Sequence, residues 1–205
     1  MICVAGGERI ELGPGVFVSV YPSQHSCIWT GTHGAGSGEV CIGDLGVTWP
    51  ERSARMKELH GRMATSLDRS SIEHLLSASG AHSDRGDGGT LLYLFELPQG
   101  SLLFQDTAGH WRSILGGLRP DVAILAAAGR ANIDGDPVQG SLADFVAEEA
   151  RTLATRRVVL AHHDDWLPGF AGAPDMGPIR QSFKERAPGT ELLEPGYLAA
   201  TRVMD

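Results

Sequence analysis

The chain has 205 residues, enough for one domain with its own core, and no apolar run approaches the roughly 20 residues that span a bilayer. An apolar share of 42% and a charged share of 20% exclude a disordered chain. The net charge of −8, from 25 acidic against 17 basic residues, argues against a nucleic-acid or anionic-membrane surface, where a basic stripe is expected.

In chain order, Val16 to Tyr21 (VFVSVY) is a β-branched and aromatic run between a Gly-Pro-Gly and Pro22, which predicts a strand. Residues 30–46 are Gly-rich and aperiodic and read as a loop. From Pro50 to about Ser79 the pattern turns helical. Met56, Leu59, His60 and Met63 share one face, and Ile72, Leu75 and Leu76 another, so residues 47–80 read as an inserted helical hairpin. Leu91 to Leu97, the turn Pro98-Gln99-Gly100 and Ser101 to Gln105 predict a β-hairpin. Val122 to Leu125 is a short buried strand. Ser141 to Thr155 is the strongest helix, with Leu142, Phe145, Val146, Glu149 and Leu153 at helical spacing and Ser141 as N-cap. Val158 to Ala161 is another apolar strand. A helix near Pro178 to Arg186 and a strand pair around Leu192 and Leu198 close the order. Alternating strands and helices place the chain in the α/β class, as a single domain over 1–205.

Cys3, Cys27 and Cys41 are odd in number and form no C-x-x-C pair, so reduced thiols are expected. No basic stretch leading into an apolar one opens the chain, and a cytoplasmic location is the expectation.

Three predicted strands each run into a metal-ligand residue type. VFVSVYPSQH ends at His25, SLLFQD at Asp106 and RRVVLAH at His162. Strand ends hold side chains rigidly at the rim of a sheet. Imidazole and carboxylate together suit zinc, manganese or iron, and a carboxylate can bridge two such ions. Any one of the three, taken alone, is more simply a hydrogen-bonded loop residue. Side chains alternate along a strand, so His162 and His163 are expected on opposite faces. Asp164 and Asp165 stand where an outer carboxylate would fix an imidazole tautomer, or where a charged turn would cap the strand. His110 either reaches a substrate or opens the next helix, and the second role is the simpler. The Gly31–Gly38 stretch lacks the lysine of a phosphate loop, and no G-x-S-x-G elbow occurs.

The segment VSVYPSQHSC resembles the third metal motif of the metallo-β-lactamase superfamily, a strand closing in His then Ser. GGTLLYLFELPQGSLLFQDTAG resembles that superfamily's hairpin ending in a Gly-Asp-Thr-Gly-like turn, with Gln105 and Ala108 in place of the two glycines. LRPDVAILAAAG and RRVVLAHHDDW resemble the next strand and the final His motif. Order and spacing agree over about residues 1–170, with 31–85 as a poorly matched insert, and the branch that the chain most resembles is the ascorbate-6-phosphate lactonase-like group.

The resemblance implies a metal-dependent hydrolase of an ester, lactone or phosphoester. His25 would bind a first metal, Asp106 would bridge, His162 would bind a second metal, and Asp106 and His162 would both take part in catalysis. Thr107 would orient the turn. The family's His-x-His-x-Asp-His motif occurs nowhere in the chain. The implied fold is therefore half of an αββα sandwich, one mixed sheet with flanking helices, corresponding to the C-terminal half of a family member. Such a half would expose an apolar sheet face. Expected partners are a small-molecule substrate and either the missing half-domain or a second copy. A non-catalytic module that docks through its sheet is the alternative.

Overall fold

The computed structural model describes residues 4–24, 29–30, 40–41, 57, 61, 65, 68–70, 90–127, 131–133, 136–137, 141–163, 175–196 and 200–204. Among these, twelve strands and three helices occur in the order β1 (Arg9–Gly13), β2 (Val16–Pro22), β3 (Trp29–Thr30), β4 (Val40–Cys41), β5 (Leu91–Leu97), β6 (Gly100–Gln105), β7 (Gly109–His110), α1 (Arg112–Leu115), β8 (Val122–Ala126), β9 (Asn132–Ile133), β10 (Asp136–Pro137), α2 (Leu142–Leu153), β11 (Arg157–Ala161), α3 (Met176–Arg186) and β12 (Glu191–Leu193). Lys57, Gly61, Thr65, Arg69 and Ser70 are helical. The rest of the expected helical hairpin over 47–80 lies outside the described residues, as does Leu198. The loop expected over 30–46 carries instead the short antiparallel pair β3–β4.

One seven-stranded mixed sheet, in the order β1-β2-β5-β6-β8-β11-β12, organises the chain. The hairpin β5–β6 forms as expected, with Leu97 opposite Gly100. Gly100 takes φ +140, and a Cβ there would stand 2.8 Å from Asp121 Oδ2, so the tight turn requires glycine. β6, β8, β11 and β12 run parallel. β5 is antiparallel to both β2 and β6, so β2 points the same way as the parallel set.

Alternation along the strands sorts the side chains onto two faces. Leu92, Leu103, Ala123, Leu125, Val158 and Leu160 form one buried core with Phe145, Val146 and Leu153 of α2 and Ile179 and Phe183 of α3. Leu115 of α1 joins the same core, so the described helices cover one face. The other face carries Tyr93 and Phe95 of β5, Leu102 and Phe104 of β6, Ile124 of β8 and Val159 of β11. Of these, Tyr93, Phe95, Leu102, Phe104, Ile124 and Val159 are all half-buried. That face is apolar, and Val18, Val20 and Val122, which share it, are buried. The α/β class with one mixed, helix-flanked sheet holds.

The ends of α2 obey ordinary helix chemistry. Ser141 caps it by accepting a hydrogen bond from the Asp144 amide at 3.1 Å, and Ala154 closes it in the left-handed conformation. Asp175 likewise caps α3 through the Gly177 amide. Ser182 Oγ and Arg186 both meet Asp144 Oδ1, at 3.1 and 3.0 Å, and pin the two helices together. Among the described residues no helix is long and apolar enough to cross a membrane.

Candidate functional site

Five strands, β2, β6, β8, β11 and β12, end at one edge of the sheet, so the segments leaving them gather there. Gln105 pairs with Leu125 and Ala161 with Ala126, so Asp106 and His162 leave the sheet within one residue of the same level, either side of β8. Two inter-strand spacings separate them, about 10 Å between backbones. An aspartate and a histidine can close that gap around an ion, since metal–ligand bonds add about 2 Å on each side. Pro22 pairs with Leu91, which by the same register lies level with Asp106. β2 therefore delivers the chain to this edge three residues before His25. His25 itself lies outside the described residues.

Asp106 is exposed at the rim, between buried Gln105 and buried Thr107. His162 is half-buried and takes φ +54, one of two non-glycine residues in the left-handed region among those described. Strand β11 stops at Ala161, so the alternation expected to separate His162 from His163 no longer applies beyond it. Histidine, with asparagine and aspartate, is among the non-glycine residues that adopt this conformation most readily.

Beneath Asp106 lies a polar network that local sequence patterns do not reveal. Gln105, fully buried, donates from Nε2 to the carbonyl oxygens of Thr107 (3.1 Å) and Gly109 (2.8 Å) and to Glu149 Oε1 (3.0 Å). His110 Nδ1 faces the same Glu149 oxygen at 2.9 Å, and its ring stacks on Phe145 with centroids 5.6 Å apart. Ser23 Oγ adds a second donor to the Gly109 carbonyl at 2.8 Å, and its amide donates to the Thr90 carbonyl. The end of β2 and the turn after β6 are thereby tied to one acceptor. His110 does not open the following helix; it belongs to β7, and α1 begins at Arg112.

Glu194 leaves β12 at the same edge. Arg180 of α3 donates to both of its oxygens at 2.8 Å and holds its carboxyl below the ordinary value, with His163 adding a smaller pull. Sequence reasoning missed Glu149 and Glu194 as members of this edge. The one available signal was an acidic residue inside the apolar stripe of α2.

The donor types at the edge, a carboxylate and an imidazole, suit zinc, manganese or iron. Asp106 and His162 supply two donors where zinc takes three or four protein ligands. Among the described residues no three His, Cys, Asp or Glu side chains converge closely enough to hold an ion. In kind the two side chains are ones a metal could use; a site there would need further ligands, and His25, the remaining candidate, lies outside the described residues. Compared with known families and characterised proteins, the chain matches no family model and no curated protein.

Proposed function

We propose that the chain is the metal-binding C-terminal half of a metallo-β-lactamase-type hydrolase acting on an ester, lactone or phosphoester. The observation that carries this reading is the common sheet edge. Asp106 and His162 close parallel strands on either side of β8, and β2 runs to the same edge just before His25. A bound divalent ion supplies a Lewis acid and lowers the pKa of water. His25, Asp106 and His162 would hold it, and exposed Asp106 is the side chain best placed to meet substrate as well. An apolar sheet face is what half of a two-sheet sandwich presents to its other half, and this reading requires a further half-domain, in this chain or another, that carries the remaining ligands.

Metal analysis of the purified chain tests the proposal. Stoichiometric zinc, manganese or iron, lost in His162→Ala, is the expected result. Metal-free protein whose unfolding midpoint does not move in chelator would sink it.

The apolar face also favours a second reading, a non-catalytic module that docks through its sheet. Tyr93, Phe95, Leu102, Phe104 and Ile124 form a contiguous patch on neighbouring strands. Sedimentation separates the readings. An obligate dimer dispersed by Phe95→Asp, in metal-free protein, favours docking; a metal-loaded chain favours the hydrolase.

A further inference from the structure

We infer that Glu149 is a positioning residue, which sets the geometry of the turn presenting Asp106 through Gln105 and His110. This deepens the hydrolase reading and rests on it for what Asp106 does. Glu149 stands in the apolar stripe of α2 and is 1% exposed. A leucine there would continue the stripe without burying a polar group. A buried carboxyl costs free energy unless its partners repay it. Its partners all belong to the chain around Asp106.

The geometry is specific. Three acceptors surround Gln105 Nε2 at 2.8–3.1 Å, so the amide can be oriented only with its nitrogen toward them. Two of those acceptors are the carbonyls of Thr107 and Gly109, which bracket the turn; the third is Glu149. Glu149 Oε1 accepts from Gln105 and from His110 Nδ1, so one oxygen grips the residue before Asp106 and the residue closing the turn after it. The Gly109 amide folds back onto the Thr107 carbonyl at 2.9 Å and completes the loop. Asp106 is therefore the exposed tip of a short loop whose two feet are held by one buried carboxyl on α2. A carboxylate bonded directly to a metal ligand typically changes metal affinity about 10–100-fold when removed; Glu149 acts one bond further out, through the residue beside Asp106, so its removal should cost less.

The arrangement also leaves an imbalance. Gln105 Oε1, Glu149 Oε2 and both polar atoms of the fully buried Gln24 have no hydrogen-bond partner among the described residues. A partly satisfied polar cluster is costly in a core.

The test compares the full chain with Glu149→Gln, which keeps an acceptor oxygen, and Glu149→Leu, which does not. Backbone amide exchange over residues 106–110 in metal-free protein is the first readout, with the amides of β8 as internal reference. Zn²⁺ affinity by competition titration is the second. Exchange at 106–110 should rise at least about tenfold in Glu149→Leu and less in Glu149→Gln, with β8 unchanged. Zn²⁺ affinity should fall in the same order, by up to about tenfold for leucine, the lower end of what loss of a carboxylate bonded directly to a ligand costs. Where leucine fails to fold, the glutamine variant carries the same comparison. Unchanged exchange at 106–110 in a folded variant overturns the inference. So does a loosened turn that binds Zn²⁺ as tightly as the parent. A parent chain that binds no Zn²⁺ sinks the hydrolase reading instead, and the exchange readout then decides alone whether Glu149 holds the turn.

Discussion

Gly109 lies so close to Gln24 that a Cβ built on it would stand 2.6 Å from the Gln24 carbonyl oxygen and 2.9 Å from its carbonyl carbon. The obstacle is backbone, which cannot rotate aside. The chain entering from β2 and the turn leaving β6 are thus in contact at a point where no side chain fits. Gly109→Ala should destabilise the fold by about 1–3 kcal/mol through this overlap. Urea unfolding measures it, and a midpoint equal to the parent's would show that the two segments are not so closely apposed.

His162 offers a cleaner separation of fold from function. Its φ of +54 suits glycine and strains most other residues. Both His162→Gly and His162→Ala remove the imidazole, and both should lose metal. Glycine should nevertheless be the more stable of the two by about 1 kcal/mol. Paired denaturation curves decide; an alanine variant as stable as the glycine one would show that the backbone there is unstrained.

Acid should find Asp121. The Ser101 amide donates to Asp121 Oδ2 at 2.8 Å and the Ser101 hydroxyl at 3.0 Å. These bonds, with a smaller pull from Arg156, hold its carboxyl below the ordinary value of 3.8. A carboxyl lowered on folding stabilises the native state fully above its unfolded pKa, and that contribution is lost as pH falls through the lowered one. The folded chain should therefore lose stability progressively below about pH 4. Asp121→Asn should lower stability at neutral pH and flatten the acid limb. An acid limb of unchanged slope in the asparagine variant would exclude Asp121 as a contributor.

The core under the helices should behave conventionally. Leu125 is fully buried in β8, among side chains from α2 and the neighbouring strands. Leu125→Ala should cost about 2–5 kcal/mol, set by how far α2 can settle into the space. Thermal or chemical unfolding reads it, and a loss well under about 1 kcal/mol would place Leu125 outside the main core.

What could be read from the sequence divides along physical lines. β2, the β5–β6 hairpin and α2 announce themselves because one buried face imposes a period of two or of 3.6 residues on the local pattern. β1 does not. It is an edge strand of five residues, RIELG, with Leu12 55% exposed, so burial imprints little pattern on it. Asp106 and His162 were legible as strand-closing residues, and the sheet register brings them to one edge. Glu149 was legible only as one more position in a helical stripe, because its partners Gln105 and His110 lie 44 and 39 residues away in the chain. Gln105, set against the family pattern, looks like a lost glycine. In three dimensions its side chain braces the turn, a role visible only once the carbonyls of Thr107 and Gly109 are brought beside it.

The bond from the Ser23 amide to the Thr90 carbonyl, just past the pair Pro22–Leu91, makes the chain leave and re-enter the sheet at neighbouring points. Whatever lies between those two points is, to the sheet, a closed excursion whose ends are already joined. Doubling its length adds only about 0.6 kcal/mol of closure entropy. Past Gln24 and His25, a longer connection therefore adds little closure entropy, and the register of β2 on β5 beside the rim where Asp106 stands does not depend on its length.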